Sequence, residues 1–279
     1  MKSIFSILLI ALFFTSCERN NIQEQTQWTA ICKQYGIDSV AFELADNSHD
    51  QVYYLNKHRI SKRNSPASTF KIVNSLVALE TSVVPDENFI LPWDGVVRAR
   101  VEWNKDMSMR EAFKVSSVPY YQEVARRIGD VEMQKWIDTL LYGNKQLGVK
   151  VDEFWLDNTL QISVDEQVGL MKKLYFDKLP FSQRSQRIVR SMMLQEDSTD
   201  YRLYYKTGTR KSDSSVLAWM VGFIERKETQ IGVLTKSKET NYKPYFFAMN
   251  IETADTLLDF HSVRLKIVKD VLRERKIIE

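Results

Sequence analysis

The spacing of hydrophobic residues in the N-terminal part of the chain predicts a helix, a β-hairpin and a second helix. Residues 24–35 carry apolar side chains at the period of an α-helix, which gives one inward-facing stripe. Residues 40–44 and 51–56 are strand-length apolar stretches separated by turn-forming residues, and they predict a hairpin. The next helix is predicted to begin near Ser68 and to continue to Glu80, with apolar positions that would bury it in the domain.

The rest of the chain changes from a helical pattern to a strand pattern. Residues 107–194 follow the helical period, with breaks predicted near Pro119, Gly143 and Pro180. A last helix is predicted over residues 262–277. Strand-forming segments separated by polar turns lie between these helical parts, at residues 201–207, 215–224, 229–235 and 245–251.

Strands are therefore predicted near both ends of the chain, on either side of a long helical middle. Residues 82–100 are rich in turn-forming residues and predict an irregular segment. The simplest assembly is one antiparallel sheet from both chain ends, flanked by helices, with a helical insertion packed beside it. The predicted fold class is α+β.

The first 17 residues have the pattern of a secretory signal. Lys2 precedes an apolar run at residues 4–14, which is too short for a transmembrane helix, and small residues follow before Cys17. A cysteine here also matches a bacterial lipobox, which predicts cleavage before Cys17 and its lipidation. The expected product is an exported, periplasmic protein, anchored by lipid to a membrane of a Gram-negative bacterium. The alternative is an ordinary cleaved signal, and either leaves residues 18–279 as the folded domain.

Composition and charge exclude several classes of function. The 279 residues are 44% hydrophobic, and the 39 basic and 36 acidic residues are well mixed, so no nucleic-acid partner is indicated. With Cys17 assigned to the signal, the one remaining cysteine, Cys32, excludes a disulfide framework. The histidines are scattered without the spacing of metal ligands, so no metal site is predicted from His49, His58 and His261.

The chain holds one S-x-x-K sequence, at Ser68 and Lys71. Residues three apart on a helix share a face, so the amine and the hydroxyl would come within hydrogen-bonding distance. A serine hydroxyl needs a base to take its proton, and backbone N–H groups at a helix N-terminus can stabilise an oxyanion. The same pair would suit an ordinary helix with a capping serine and a solvated lysine. Motifs elsewhere decide between the two interpretations.

Four further motifs follow the S-x-x-K sequence in order. They are Ser116-Ser117-Val118, Tyr142-Gly143-Asn144, Trp155 and Lys206-Thr207-Gly208. Each alone is typical of ordinary structure, because a Y-G-N is usually a turn and a tryptophan is usually buried. The order of all five motifs is more specific than any one of them.

This ordered set resembles the class D, oxacillinase-type serine β-lactamases. The resemblance implies the fold of serine β-lactamases and penicillin-binding transpeptidases, and hydrolysis of β-lactam antibiotics such as penicillins and oxacillin, which confers resistance. It implies no cofactor beyond carbon dioxide or bicarbonate as the source of a lysine carbamate. The resemblance extends from Trp28 to Leu272 and includes Ser65-Pro66-Ala67, Asn74-Ser75-Leu76, Trp93-Asp94-Gly95, Phe154-Trp155-Leu156, Trp219-Met220-Val221-Gly222, Phe246-Phe247-Ala248 and Arg264.

The resemblance also implies a role for each catalytic residue. Lys71 is expected to become an N6-carboxylysine that serves as general base, held in part by the indole N–H of Trp155. Val118, with Phe70 and Trp155, would make the surroundings of Lys71 dry, and burial lowers the pKa of an amine. Ser116 is expected to pass a proton to the departing ring nitrogen.

A second group of residues is implied to bind the substrate. Ser68 is the implied nucleophile, and its backbone N–H would form an oxyanion hole with that of a residue after the K-T-G motif. The K-T-G motif and a C-terminal arginine would bind the carboxylate of the drug. The implied substrate-binding residues are Lys206, Thr207, Gly208, Thr209 and Arg264.

Two features depart from the class D pattern. Thr209, followed by Arg210-Lys211, stands where many class D enzymes have an aromatic or small residue, and this leaves the substrate range open. The chain between Gly222 and Tyr245 is also longer than the usual short hairpin of the family.

Two other functions share much of the motif set. The sensor domain of β-lactam receptors stays acylated as a signal, although it would need a separate membrane partner here. A D,D-peptidase acting on cell-wall peptides is favoured by Thr209 after K-T-G and opposed by the apolar Val118. The resemblance is compatible with monomers and with dimers.

Overall fold

The computed structural model describes residues 21–231 and 238–279. The predicted signal sequence, including Cys17, lies outside these described residues. Within the described ranges, no helix is long and apolar enough to cross a bilayer.

Strands from both ends of the chain form one seven-stranded sheet within the described residues. The strands are β1 (Ile22–Glu24), β2 (Ser39–Asp46), β3 (Gln51–Leu55), β6 (Leu194–Asp197), β7 (Tyr201–Lys211), β8 (Val216–Ile231) and β9 (Lys238–Thr253). Their order is β1-β3-β2-β9-β8-β7-β6, and a separate small sheet pairs β4 (Ile90–Leu91) with β5 (Met107–Ser108). The main sheet is mixed, because β1 and β3 are parallel while its other neighbours are antiparallel.

Helices cover both faces of this sheet, as the α+β prediction requires. Those of the described residues are α1 (Trp28–Lys33), α2 (Lys57–Ile60), α3 (Lys71–Glu80), α4 (Met109–Lys114), α5 (Val118–Ile128), α6 (Asp130–Leu140), α7 (Val164–Tyr175), α8 (Gln183–Met193) and α9 (Phe260–Glu274). Short 3₁₀ helices span Ala67–Phe70 and Val101–Trp103.

Two apolar layers hold the helices to the sheet. On one face, α1 and α9 pack on the strands, and the Trp28 ring meets the Phe42 ring edge-on with centroids 5.2 Å apart. On the other face, α3 lies at the centre of the helical insertion. Residues 71–79 of α3 are all buried, so this helix is enclosed on every side. The start of α3 is therefore closely packed, and Ser68 lies in the 3₁₀ helix directly before it.

The predicted N-terminal helix is shorter than expected. Residues 22–24 form strand β1, which pairs with β3, and the helix covers only Trp28–Lys33. Backbone pairing with the sheet edge therefore overrides the helical side-chain spacing of residues 24–27. Gly36, with a φ of +72°, lies just beyond the end of the helix.

The predicted breaks in the helical region fall at real boundaries. Pro119 is the second residue of α5, where its missing N–H costs no helical hydrogen bond, so it begins a helix rather than interrupting one. Gly143 lies between α6 and α7, and Pro180 lies between α7 and α8.

Strands β7, β8 and β9 are longer than the four strands predicted for residues 201–251, and β6 precedes them without having been predicted. Strand β8 runs without a break to Ile231, so residues 229–231 continue it instead of forming a separate strand. Residues 232–235 of that predicted strand lie outside the described residues. Pairing with β9 continues from Val216 to Ile231, while β7 begins opposite Arg226. Beyond Arg226, β8 pairs with β9 alone, so the two strands extend past the rest of the sheet. This explains why the residues of the extension are mostly polar.

Candidate active site

Ser68 and Lys71 lie where the 3₁₀ helix Ala67–Phe70 leads into α3. Lys71 Nζ donates a hydrogen bond of 2.7 Å to Ser68 Oγ, the proximity that the S-x-x-K spacing predicts. Ala67, directly before the serine, has a φ of +47°, which is unfavourable for a residue with a side chain. Strain of this kind is concentrated at functional sites, and here it belongs to the turn that presents Ser68.

The side chain of Lys71 is fully buried. Its Nζ atom lies 5.5 Å from the centre of the Tyr121 ring and has no carboxylate partner within the described residues. Burial lowers the pKa of the Lys71 amine well below its ordinary value, and the charges of Lys206 and Arg100 lower it further. The site therefore favours the neutral, nucleophilic form of this amine.

Trp155 packs on Phe70, which directly precedes Lys71, and is also fully buried. Its ring stacks on Phe70 with centroids 5.5 Å apart, and its backbone carbonyl accepts a 2.8 Å hydrogen bond from Ser65 Oγ. The indole Nε1 has no hydrogen-bond partner among the described residues. A buried donor without an acceptor costs about 1–3 kcal/mol, so this N–H is suited to a group that is added to the site.

The Tyr142-Gly143-Asn144 turn positions the segment that carries Trp155. Asn144 Nδ2 donates to Thr159 O at 2.8 Å, and Asn144 Oδ1 accepts from the Gln161 N–H at 3.0 Å. Gly143 has a φ of +51°, and a Cβ atom there would lie 1.8 Å from Gln161 O. The motif therefore acts through local structure, because it closes the loop between α6 and α7.

Ser116 and Lys206 meet in the same cavity as Ser68. Lys206 Nζ donates to Ser116 Oγ at 3.0 Å and to Thr207 O at 3.0 Å. Ser116 has a φ of +55°, a second strained residue at the site. Burial, followed by the charges of Arg264 and Arg100, lowers the pKa of Lys206 to about 7. The amine of Lys206 can therefore lose or gain a proton near neutral pH.

Gly208 allows strand β7 to approach Ser68 closely. A Cβ atom at this position would lie 2.8 Å from Pro66 O and 3.0 Å from the backbone N of Ser68. Strand β6 pairs with β7 only at residues 202–204, so the outer edge of β7 faces the Ser68 turn at the K-T-G motif. This closeness brings the backbones of Ser68 and Thr209 to one side of the site.

Arg264 is bound to the backbone behind the K-T-G motif. Its Nη1 donates to Gly208 O at 2.7 Å and to Trp219 O at 3.0 Å, and its Nε donates to Phe260 O at 2.7 Å. Nη1 also donates to Thr209 Oγ1 at 3.0 Å, which gives the unusual threonine after K-T-G a structural role. Burial lowers the pKa of Arg264 to about 10. Its Nη2 forms no hydrogen bond within the described residues, so these donors are available to a ligand.

A cavity of about 400 Å³ joins these groups. Lys71 and Trp155 do not line it, because both are buried beneath its wall. The predicted residues that line it are Ser68, Ser116, Val118, Lys206, Thr207, Gly208, Thr209 and Arg264. Sequence reasoning missed other lining residues, because no motif marks Arg100, Trp103, Gln195 and His261.

Comparison with known proteins gives consistent matches over most of the chain. A family model described as the penicillin binding protein transpeptidase domain matches residues 33–258. The β-lactamase OXA-48 of Klebsiella pneumoniae is 38% identical over 258 residues, which cover 92% of this chain and 90% of the relative.

Solved structures extend the same likeness. A class D β-lactamase from Sebaldella termitidis superimposes with a TM-score of 0.83 and 31% identity, over 93% of this chain and 100% of that chain. The C-terminal domain of the penicillin receptor BlaR of Bacillus licheniformis gives a TM-score of 0.82 and 26% identity, over 93% and 98% of the two chains. The family match and the relatives show that the chain belongs to the class D, OXA-type serine β-lactamases.

Proposed function

We propose that this protein hydrolyses β-lactam antibiotics through an acyl-enzyme on Ser68. The observation that carries the proposal is the 2.7 Å contact between Ser68 Oγ and the buried Lys71 Nζ, beside a cavity that presents Lys206 and Arg264. Acyl transfer to a serine needs an adjacent base, and cations suit the carboxylate of a β-lactam. Relatives named as β-lactamases support the same chemistry.

The base at position 71 is a carbamylated lysine. The neutral amine of Lys71 attacks the carbon of carbon dioxide and loses a proton to water, and the new N–C bond leaves a carbamate on Nζ. A carbamate supplies a carboxylate base at this position. Two observations support the assignment: the pKa of Lys71 is held well below its ordinary value, and the buried Trp155 Nε1 lacks an acceptor. Val118 and Phe70 add to the apolar surroundings.

Acylation begins when Ser68 Oγ attacks the lactam carbonyl carbon and gives its proton to the base at position 71. The backbone N–H groups of Ser68 and Thr209 stabilise the oxyanion, with about 3 kcal/mol for each donor in comparable sites. The bond between carbonyl carbon and ring nitrogen then breaks. Ser116, hydrogen-bonded to Lys206, passes its proton to the departing nitrogen, and the proton that the base took from Ser68 is returned to Ser116, which leaves the base free for the next step.

Deacylation uses the same groups in reverse. Water attacks the ester carbonyl of acylated Ser68 and gives a proton to the base at position 71; the bond between the acyl carbon and Ser68 Oγ then breaks, and the base returns the proton to Oγ. During both steps the carboxylate of the substrate is bound by Lys206, Thr207 and the free Nη2 of Arg264. Penicillins and oxacillin-type drugs, which carry this carboxylate, are the proposed substrates.

The likeness to the penicillin-receptor domain favours a second candidate function. In a β-lactam sensor, Ser68 would be acylated and the ester would persist as a signal. A D,D-peptidase is a third candidate, because a penicillin-binding transpeptidase model matches the chain and Thr209 follows the K-T-G motif. The candidates differ in the lifetime of the penicilloyl ester.

The experiment follows benzylpenicillin and a chromogenic cephalosporin with the purified protein from residue 18, in the presence of bicarbonate. Steady turnover with only transient acylation in intact-protein mass spectra supports the β-lactamase proposal. A stable penicilloyl adduct with negligible turnover supports the sensor or the peptidase. Ser68→Ala is the control, since it removes the nucleophile and should form no adduct.

The export of the protein is a further part of the proposal. Residues 1–17 direct the chain to the periplasm, and Cys17 carries the lipid that anchors it to the membrane. The apolar run ending at Cys17 supports this. Fractionation of a Gram-negative host should find the wild type in the membrane and Cys17→Ser in the soluble periplasm. Equal amounts of the wild type and of Cys17→Ser in the soluble periplasm would instead favour an ordinary cleaved signal.

A further inference from the structure

Arg100 lies at the mouth of the candidate active site, in the segment between β4 and β5. Its guanidinium packs over Trp103, with 4.8 Å between Cζ and the ring centre. Both residues line the cavity that contains Ser68. Trp103 Nε1 donates to Val115 O at 3.2 Å, which attaches this pair to the chain directly before Ser116.

The charge of Arg100 is not neutralised by a neighbour. Arg100 is exposed and forms no ion pair within the described residues. Arg98, two residues earlier, has its guanidinium bound to Asp94 at 2.6 Å and lies outside the cavity. The charge of Arg100 also reaches into the site, since it helps to lower the pKa of both Lys71 and Lys206. A ligand in the cavity therefore meets an unpaired cation here.

The chemistry of a penicillin determines which part of the drug meets Arg100. The ring nitrogen and the ring carboxylate lie on one side of the lactam carbonyl, and the acylamino side chain lies on the other. Lys206, Thr207 and Arg264, all on the side of β7 and α9, provide donors for the ring carboxylate. With the carbonyl at Ser68 and the ring carboxylate at β7 and α9, the acyl side chain extends towards the rest of the cavity wall, which includes Arg100 and Trp103.

We propose that Arg100 is a specificity residue that favours β-lactams with an anionic group on the acyl side chain and disfavours those with a cationic group. The proposal rests on the proposed function, because Ser68 must react with the lactam to place that side chain. A carboxylate on the side chain can accept two parallel hydrogen bonds from the guanidinium. An aryl group next to it would pack on the Trp103 ring.

Three penicillins isolate the effect of charge. Ampicillin, benzylpenicillin and carbenicillin share a phenyl group and differ at the side-chain α carbon, which carries an ammonium, a hydrogen or a carboxylate. The second-order rate constant for acylation of Ser68 is measured by intact-protein mass at a pH where the ammonium is charged. This readout does not require turnover, so it tests Arg100 even if the acyl-enzyme persists and the proposed hydrolase function fails.

The expected result is a lower ratio of carbenicillin to ampicillin rate constants when the cation is removed. Arg100→Gln should lower the ratio by roughly tenfold, and Arg100→Glu should lower it further. The matched control Arg98→Gln should leave the ratio unchanged. Equal changes for all three drugs would overturn the proposal, because they would assign Arg100 to the ring carboxylate or to Lys71. An unchanged ratio in both Arg100 variants would also overturn it.

Discussion

Lys71 Nζ and Ser68 Oγ lie 2.7 Å apart, yet the lysine is fully buried while the serine lines the active-site cavity. The proposed base is thus kept from water, and the proposed nucleophile remains open to the cavity. Burying an amine without a carboxylate partner costs stability, because the amine must lose either its proton or its hydrating water when the protein folds. This destabilising burial occurs at the position where the proposed chemistry needs a neutral amine.

Replacing Trp155 by phenylalanine should make activity depend more strongly on bicarbonate. The variant keeps the stacking on Phe70 but removes the unpartnered Nε1 donor. Loss of one buried hydrogen bond should lower activity in air by roughly 5- to 100-fold, with recovery at high bicarbonate. Trp219→Phe is the control, because Trp219 Nε1 donates to Ser65 O at 2.9 Å and supports structure. Rescue of both variants, or of neither, would contradict the role given to Trp155.

The pH dependence of kcat/KM should report the ionisation of Lys206. Its pKa is lowered to about 7, so the free enzyme loses this charge as the pH rises through that value. Attraction for the substrate carboxylate then falls, and kcat/KM for benzylpenicillin should decline on the basic side. Lys206→Arg stays charged, so its profile should lack this decline although its maximum is lower. If kcat/KM of Lys206→Arg declined at basic pH as in the wild type, a group other than Lys206 would be responsible for the decline.

Gly208→Ala should inactivate the protein while leaving it folded. The added Cβ would lie 2.8 Å from Pro66 O, so β7 must move away from the Ser68 turn. A displacement of about 1 Å at a reacting centre can reduce the rate roughly 100-fold. Gly169→Ala in α7 is the matched control, because a Cβ there meets nothing within 4 Å. Steady-state hydrolysis and thermal melts of both variants check this, and near-normal activity of Gly208→Ala would contradict it.

The unfolding free energy should fall between mildly acidic and mildly basic pH because of Glu43. This carboxyl on β2 is buried, and burial together with the charge of Asp165 raises its pKa from 4.5 to about 8. The folded state therefore holds a proton that the unfolded state releases above about pH 4.5. Stability is lost as the pH rises towards 8, by an amount on the order of 4 kcal/mol.

Denaturant unfolding of Glu43→Leu across this pH range tests the assignment. The variant should lack most of this loss and should be the more stable protein at about pH 8. Glu24→Gln, at an exposed position on β1, should follow the wild type. The same slope in Glu43→Leu and in the wild type would show that another group is responsible.

Short motifs made the centre of the site predictable from sequence. Ser68 and Lys71 are three residues apart on a helical path, so local geometry alone brings them together. The sheet from both chain ends was also predictable, because apolar segments of strand length occur there. The meeting of Ser116 with Lys206, 90 residues apart, could be inferred only through the resemblance to a family.

Other features depend on tertiary packing and left no local pattern. Arg100 and Trp103 belong to a turn-rich segment, and they reach the cavity only because Trp103 is hydrogen-bonded to Val115. Residues 22–24 become a strand because β3 offers an edge to pair with. Arg264 was predicted to bind substrate, and what the structure shows is a hydrogen bond from its guanidinium to the backbone of Gly208. Such contacts join distant parts of the chain, which periodicity does not reveal.

The most direct test of the central claim is carbon-13 NMR of the protein in labelled bicarbonate, with activity followed in the same samples. The wild type should give a carbamate signal that is absent from Lys71→Ala. The signal and the hydrolysis of benzylpenicillin should disappear together in acidic, CO₂-depleted buffer and return together when bicarbonate is added. Full hydrolysis without a carbamate signal, or with no response to bicarbonate, would contradict the assignment of Lys71 as the carbamylated base.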